Sequence, residues 1–181
     1  NFAVDGHYHQ EELIDLAMPY VKDRRLAFDV GAHVGYMTKK MLEYFDRVVA
    51  WEPVWSNHEC FVKNVDRVRV EARLCALGER PGYSYLRNPT PENSGAWEVK
   101  GGLSVVRVDT LDEAFVTTTG LALLSECRPG LVKIDVQGSE VAVLSGGEQM
   151  FHMVKPVIII EANDDNGISA LLEDWGARKM G

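Results

Sequence analysis

Apolar positions along this chain follow two alternating rhythms, and the alternation itself predicts the fold class. Leu13, Leu16, Ala17 and Tyr20 recur at i, i+3, i+4 and i+7, the stripe of an amphipathic helix. Leu26 to Val30 follows as a short apolar strand running into Gly31, and Met37, Met41, Tyr44 and Phe45 form a second helical stripe. Arg47 to Trp51 reads as the next strand, Ser56 to Val65 as a polar helix, and Val68 to Leu77 as one third strand ended by Gly78. Leu131 to Val136 and Val157 to Ile160 read as later buried strands. Between them lies a helix from Ser139 to about Leu144, broken by Gly146-Gly147. Strands that are apolar throughout, alternating with helices, predict an α/β fold with a mostly parallel sheet covered by helices on both faces.

Residues 79–129 depart from that rhythm. Tyr83 to Leu86 and Leu103 to Val108 look like strands, whereas Asn88 to Gly102 is rich in Pro, Asn and Gly and reads as an excursion. Thr110-Leu111-Asp112-Glu113 fits a capping box, and Thr117-Thr118-Thr119-Gly120 reads as a short loop. The segment is too short to carry a core of its own. The expected organisation is therefore one domain over residues 1–181, with an insertion at 79–129 between the third and fourth core strands.

Composition narrows the function classes. With 181 residues, 46% hydrophobic and 25% charged, the chain is of ordinary globular make-up. A formal net charge of -8 disfavours a nucleic-acid partner, which needs a basic footprint. No apolar run approaches the ~20 residues of a membrane span, and nothing at the start reads as a signal peptide. Three cysteines, Cys60, Cys75 and Cys127, suit reduced thiols in a cytoplasmic protein rather than a disulfide framework or a zinc site. His7 and His9 stand as an isolated pair without further ligands, so no metal is expected. The start at Asn1 and the stop at Gly181 suggest a piece of a longer gene product, and the oligomeric state is open.

The stretch from Phe28 to Gly35 carries the most chemistry. A strand passes through Asp29, Gly31, Ala32 and His33 into a helix near Gly35, a turn whose backbone a ligand could approach closely. Glu52 ends the next strand 21 positions after Gly31, the offset at which an acidic side chain meets ribose hydroxyls in nucleotide-binding βαβ units. The glycines follow Asp29-x-Gly31-x-x-x-Gly35 and lack the middle glycine that admits a dinucleotide pyrophosphate. Asp29 would repel phosphate but could face the ammonium of a methionyl group. The pattern favours S-adenosyl-L-methionine over NAD.

With Glu52-Pro53 in place, the chain resembles the FkbM family of methyltransferases. The matching blocks are Asp29 to Thr38, Glu52-Pro53 with Asn57, Ala76-Leu77-Gly78, Lys133 to Gly146 around Lys133-Ile134-Asp135-Val136-Gln137-Gly138-Ser139-Glu140, and Glu161. The resemblance spans Leu26 to about Glu161. It implies a Rossmann-like methyltransferase fold, S-adenosylmethionine, and O-methylation of sugars or natural products. It also implies that Asp29, Gly31 and Gly35 line the methionyl end, that Glu52 holds the ribose, and that Ala76 and Leu77 meet the adenine. His33 departs from the family, which commonly has Asn there. The chain also ends roughly where the final antiparallel strands of the family would begin.

Asp29, Glu52, Asp135 and Glu161 all fall at or just beyond strand ends, so four carboxylates are expected around one cleft. Methyl transfer to an alcohol needs a fixed nucleophile and a base for its proton. Asp135 is the first candidate for that base or for orienting the acceptor, and Glu161 the second. Lys133 reads as a structural ion pair and Glu140 as a carboxylate at a helix start. His33 could be a base or a loop hydrogen-bonder, and Trp97 could stack on a sugar or merely pack. Two other readings stay open: an S-adenosylmethionine-binding domain without turnover, and, ranked last, a nicotinamide-dependent oxidoreductase.

Overall fold

A five-stranded, wholly parallel sheet forms the centre of the computed structural model. The described residues are 10–90, 93–99, 101–102, 104–119, 128–161 and 167–178. The strands of the sheet are β1 (Leu26–Val30), β2 (Arg47–Trp51), β3 (Val70–Arg73), β7 (Pro129–Ile134) and β8 (Val157–Ile160), in the order β3-β2-β1-β7-β8. Alternate residues of β1, β2, β7 and β8 enter two separate cores, whereas edge strand β3 alternates Val70 and Ala72 with Glu71 and Arg73. Ala27, Val48, Ala50, Leu131 and Ile159 face α1 (Gln10–Ala17), α2 (Tyr36–Met41) and α3 (Trp55–Asn64). Phe28, Val30, Val49, Trp51, Val132, Ile134 and Ile158 pack with α4 (Leu111–Thr119), α5 (Glu140–Ser145), α6 (Glu148–Val154) and α7 (Ile168–Asp174). Burial on both faces is why these strands carry almost no polar alternation.

The structure changes three expectations. The buried stripe of α1 is Leu13, Ile14, Ala17 and Met18, whereas Leu16 and Tyr20 are exposed. A 3-10 turn at Met18–Tyr20, with Pro19 in its first turn, takes the chain off the α-helical register. The single strand expected over Val68 to Leu77 is two strands in different sheets. Leu74 and Cys75 carry the chain away from the main sheet, and β4 (Ala76–Leu77) pairs with β6 (Ser104–Asp109) instead. With β5 (Gly82–Leu86) these form a small sheet in the order β4-β6-β5. That sheet has a core of its own, made by Val54, Ala76, Leu86, Val106 and Val108 with Trp97 and Val99 against it. Finally, Thr117 to Thr119 belong to α4 rather than to a loop, and the Arg73 guanidinium donates to the Thr117 and Thr118 hydroxyls.

Thr110 caps α4 by accepting the Glu113 N–H at 3.2 Å. The short helices α6 and α7 have no counterpart among the elements that the periodicity predicts. Ala177 closes α7 through its N–H to the Leu172 carbonyl. His7, His9 and Cys127 lie outside the described residues. No helix among the described residues is long and apolar enough to cross a membrane, and no cluster of His, Cys, Asp and Glu there could hold a metal ion.

Candidate active site

The strand order fixes where a ligand can sit. From central β1 the chain builds outward through β2 and β3, then returns to the other side of β1 with β7 and β8. The loops after β1 and β7 therefore diverge and open a crevice at the carboxyl ends of the strands. Val30, Trp51, Ile134 and Ile160 are in register across the sheet. The next residues, Gly31, Glu52, Asp135 and Glu161, thus stand in one row. A cavity of about 300 Å³ lies over that row, at the small end of the ligand-pocket range.

Glu52, Asp135 and Glu161 line the cavity, together with Gly31, Ala32, His33, Ala76 and Leu77. Asp29 does not. It is fully buried below the turn, where Thr38 donates its hydroxyl at 2.6 Å and the Lys133 ammonium lies 3.4 Å away. Three carboxylates rather than four therefore border the cleft. Gly35 is also beneath the surface, because a Cβ there would come within 2.9 Å of Phe61 and Val65. Gly31 has φ +79, and a Cβ on it would meet the Asp135 carbonyl oxygen at 1.8 Å. Both glycines are thus required by close approach of the protein to itself.

Lys133, only 4% exposed, is the cation of the site. Burial works to strip its proton, but Asp29 and Asp135, at 3.4 and 3.5 Å, outweigh that and hold the ammonium charged. It also donates to the Gly31 carbonyl at 3.4 Å. Asp135 is gripped from the other side by the Gln137 amide, which donates to Oδ1 at 3.0 Å. Gln137 and His33 both adopt left-handed backbone, φ 52 and 51, at the tips of the two loops that frame the crevice. Asn tolerates that conformation well, so an Asn at position 33 would keep the turn.

Glu52 is 5% exposed and held by the His33 N–H on Oε2 and the Val54 N–H on Oε1, each at 2.9 Å. Burial pushes its carboxyl up, against those two donors and Asn57. Glu140, which in sequence is only a charge at a helix start, also accepts the Gly138 N–H at 2.8 Å and so braces the loop after β7. Several lining residues carry no local sequence signal. Asn93, Ser94 and Gly95 reach the cavity from the excursion, and Trp97 both lines it and packs on the small sheet. They meet the rest of the site through contacts across 61 and 37 positions, His33 Nε2 to Ser94 Oγ at 2.9 Å and Asn57 Nδ2 to the Ser94 carbonyl at 3.0 Å, which no short pattern encodes. Buried Cys75 also lines the cavity; burial pushes its thiol up to about 11, so it is no nucleophile at neutral pH.

Burial also lowers the pKa of His33, more than the Asp135 charge raises it. The folded state therefore prefers neutral imidazole, and stability falls as pH drops below the unfolded value, where the unfolded chain binds the proton more readily. His33→Asn is expected to remove that acid-side loss while keeping the left-handed turn. Urea midpoints of parent and variant at about pH 7 and about pH 5 check it; an equal fall in both would contradict the assignment.

The sequence profile of the methyltransferase FkbM domain matches residues 29–178. The chain belongs to the FkbM methyltransferase family. Among solved structures, the methyltransferase FkbM from Methylobacillus flagellatus KT aligns with a TM-score of 0.56 at 18% identity, over 83% of this chain and 37% of that one. The α/β fold of this FkbM domain is thus the fold of that protein, of whose length it spans little more than a third. A putative type II methyltransferase from Anaeromyxobacter dehalogenans aligns with a TM-score of 0.33 at 19% identity, over 40% of this chain and 30% of that one. No curated protein matches this FkbM domain.

Proposed function

We propose that this domain transfers a methyl group from S-adenosyl-L-methionine to a hydroxyl of a sugar or small natural product. One observation carries the reading: Glu52 and Asp135 stand in the same row of strand ends, at either side of the β1 loop, and line one cavity. The donor set suits the cofactor. Glu52 has spare lone pairs beyond its backbone donors and would accept from ribose hydroxyls. Ala76 and Leu77, apolar and buried, would flank the adenine, and Gly31, Ala32 and His33 would run beside the methionyl end. Among the described lining residues the only Lys or Arg is Lys133, already committed to Asp29 and Asp135. A dinucleotide diphosphate would find no counter-charge there, which favours S-adenosylmethionine over NAD.

Bound, the cofactor supplies an electrophilic methyl carbon on a positive sulfur. The chain's own work is to place the acceptor and manage its proton. Asp135, fixed by Lys133 and Gln137, would orient the hydroxyl and accept its proton as the oxygen attacks. Glu161, in the same row, is the alternative acceptor of that proton. Lys133 keeps Asp29 and Asp135 from facing each other as unscreened like charges beneath the turn.

Calorimetric titration with S-adenosylmethionine and with NAD, joined to a methyl-release assay on hydroxylated acceptors, tests the proposal. Glu52→Ala is expected to weaken S-adenosylmethionine binding about tenfold or more, and Asp135→Asn to keep binding while losing roughly 100-fold or more in transfer. Binding of NAD with no response to S-adenosylmethionine would end it. Full binding with no turnover on any acceptor would favour a binding domain.

A further inference from the structure

Four residues from four separate segments close a ring of hydrogen bonds, part side chain and part backbone, at one wall of the cavity. The His33 N–H donates to Glu52 Oε2 at 2.9 Å, and His33 Nε2 meets Ser94 Oγ at 2.9 Å. The Asn57 amide donates to the Ser94 carbonyl at 3.0 Å and, more weakly, to Glu52 Oε1 at 3.4 Å. Ser94 is the only member from the excursion, and it touches both residues, His33 and Asn57, that donate to Glu52 from across the ring.

The excursion is built to deliver Ser94 there. Its base is pinned by paired backbone bonds between Arg87 and Glu98 and by their ion pair at 2.6 Å. Its tip is braced from both sides of the serine. Asn88 donates to the Asn93 carbonyl at 3.1 Å, and the Gly95 N–H donates to Asn93 Oδ1 at 2.9 Å. His33, in turn, holds a left-handed backbone that an L-residue seldom adopts unless its surroundings impose it. Its N–H is held by Glu52, and its ring by the Ser94 hydroxyl.

We infer that Ser94 is a positioning residue for ribose recognition: its hydroxyl holds the His33 ring, while its backbone carbonyl receives Asn57, and the hydroxyl arm sets the direction in which Glu52 presents its remaining lone pairs. The inference rests on the cofactor assignment proposed above. A serine that only tethered the loop would alter affinity for every ligand of the cavity equally. A serine that orients Glu52 acts on the part of the affinity that comes from ribose hydroxyls. The two roles separate on a ligand from which the ribose hydroxyls have been removed.

The experiment is calorimetric titration of parent, Ser94→Ala and Ser94→Thr with S-adenosylhomocysteine and with its 2′,3′-dideoxy counterpart. The parent is expected to favour the ribose form about tenfold, and Ser94→Ala to shrink that ratio by about threefold or more, with Ser94→Thr restoring it. Asn57→Ala, which cuts the other arm of the ring, is expected to shrink it as well. If Ser94→Ala leaves the ratio unchanged, whether or not both affinities fall, the role of Ser94 is overturned and that of Glu52 stands. If the parent binds both forms equally, or neither, the Glu52 assignment falls and takes this one with it.

Discussion

Lys133→Met is expected to cost about 3–5 kcal/mol of folding stability, because it strands the Asp29 carboxylate in a site with no exposure to water. Thr38 would remain as the hydrogen-bond donor to Asp29, but Asp29 Oδ1, which accepts no hydrogen bond, would lose the ammonium 3.4 Å away. The effect is a broken pair rather than a lost attraction, and this distinction can be measured. Asp29→Asn combined with Lys133→Met removes both charges, keeps an acceptor for Thr38, and is expected to recover a large part of the loss. Urea denaturation of the two single variants and the double variant decides it. Additive losses, with no recovery in the double variant, would mean that the two groups do not act as a pair.

Gly31→Ala is the second large effect, expected at more than about 4 kcal/mol or failure to fold. Two costs coincide there. The backbone at φ +79 is unfavourable for any side chain, and the added carbon would lie 1.8 Å from the Asp135 carbonyl oxygen. The loops after β1 and β7 would have to move apart, and those loops frame the cavity. Gly138→Ala is the control: φ is +93, but nothing lies within 4 Å of the new carbon, so only the left-handed strain of about 1–2 kcal/mol is expected. Comparable midpoints for the two variants would show that the close approach is not what makes position 31 a glycine. It also follows that a substitution at Gly31 reports on folding before it reports on ligand, whereas Glu52→Ala addresses binding more directly.

Much of the candidate site is legible in sequence because it depends on strand ends. A residue just past an apolar strand in a parallel sheet must lie at the carboxyl edge, so spacing alone groups Glu52, Asp135 and Glu161. The same logic places Asp29 in that cleft, yet Asp29 sits inside its strand and pairs laterally with Lys133. Parity explains the difference: Asp29 and Lys133 are in register and share a sheet face, so they meet each other before they meet solvent. The small sheet escapes the sequence for a related reason. Ala76 and Leu77 continue an apolar run, and nothing in their character says that their partners are Val108 and Asp109 rather than β2.

Local chemistry by itself thus determined the parallel α/β class, the Asp29-to-Gly35 turn, the acidic strand end at Glu52 and the Lys133-to-Gly146 block. Each is a matter of residue type and period within a short window. Tertiary structure decided which carboxylates see the cavity, why Gly31 and Gly35 must lack side chains, and that the excursion returns Ser94 to His33. Those outcomes depend on neighbours that are distant in the chain, and hydrophobic periodicity records only that a residue is buried, not against what.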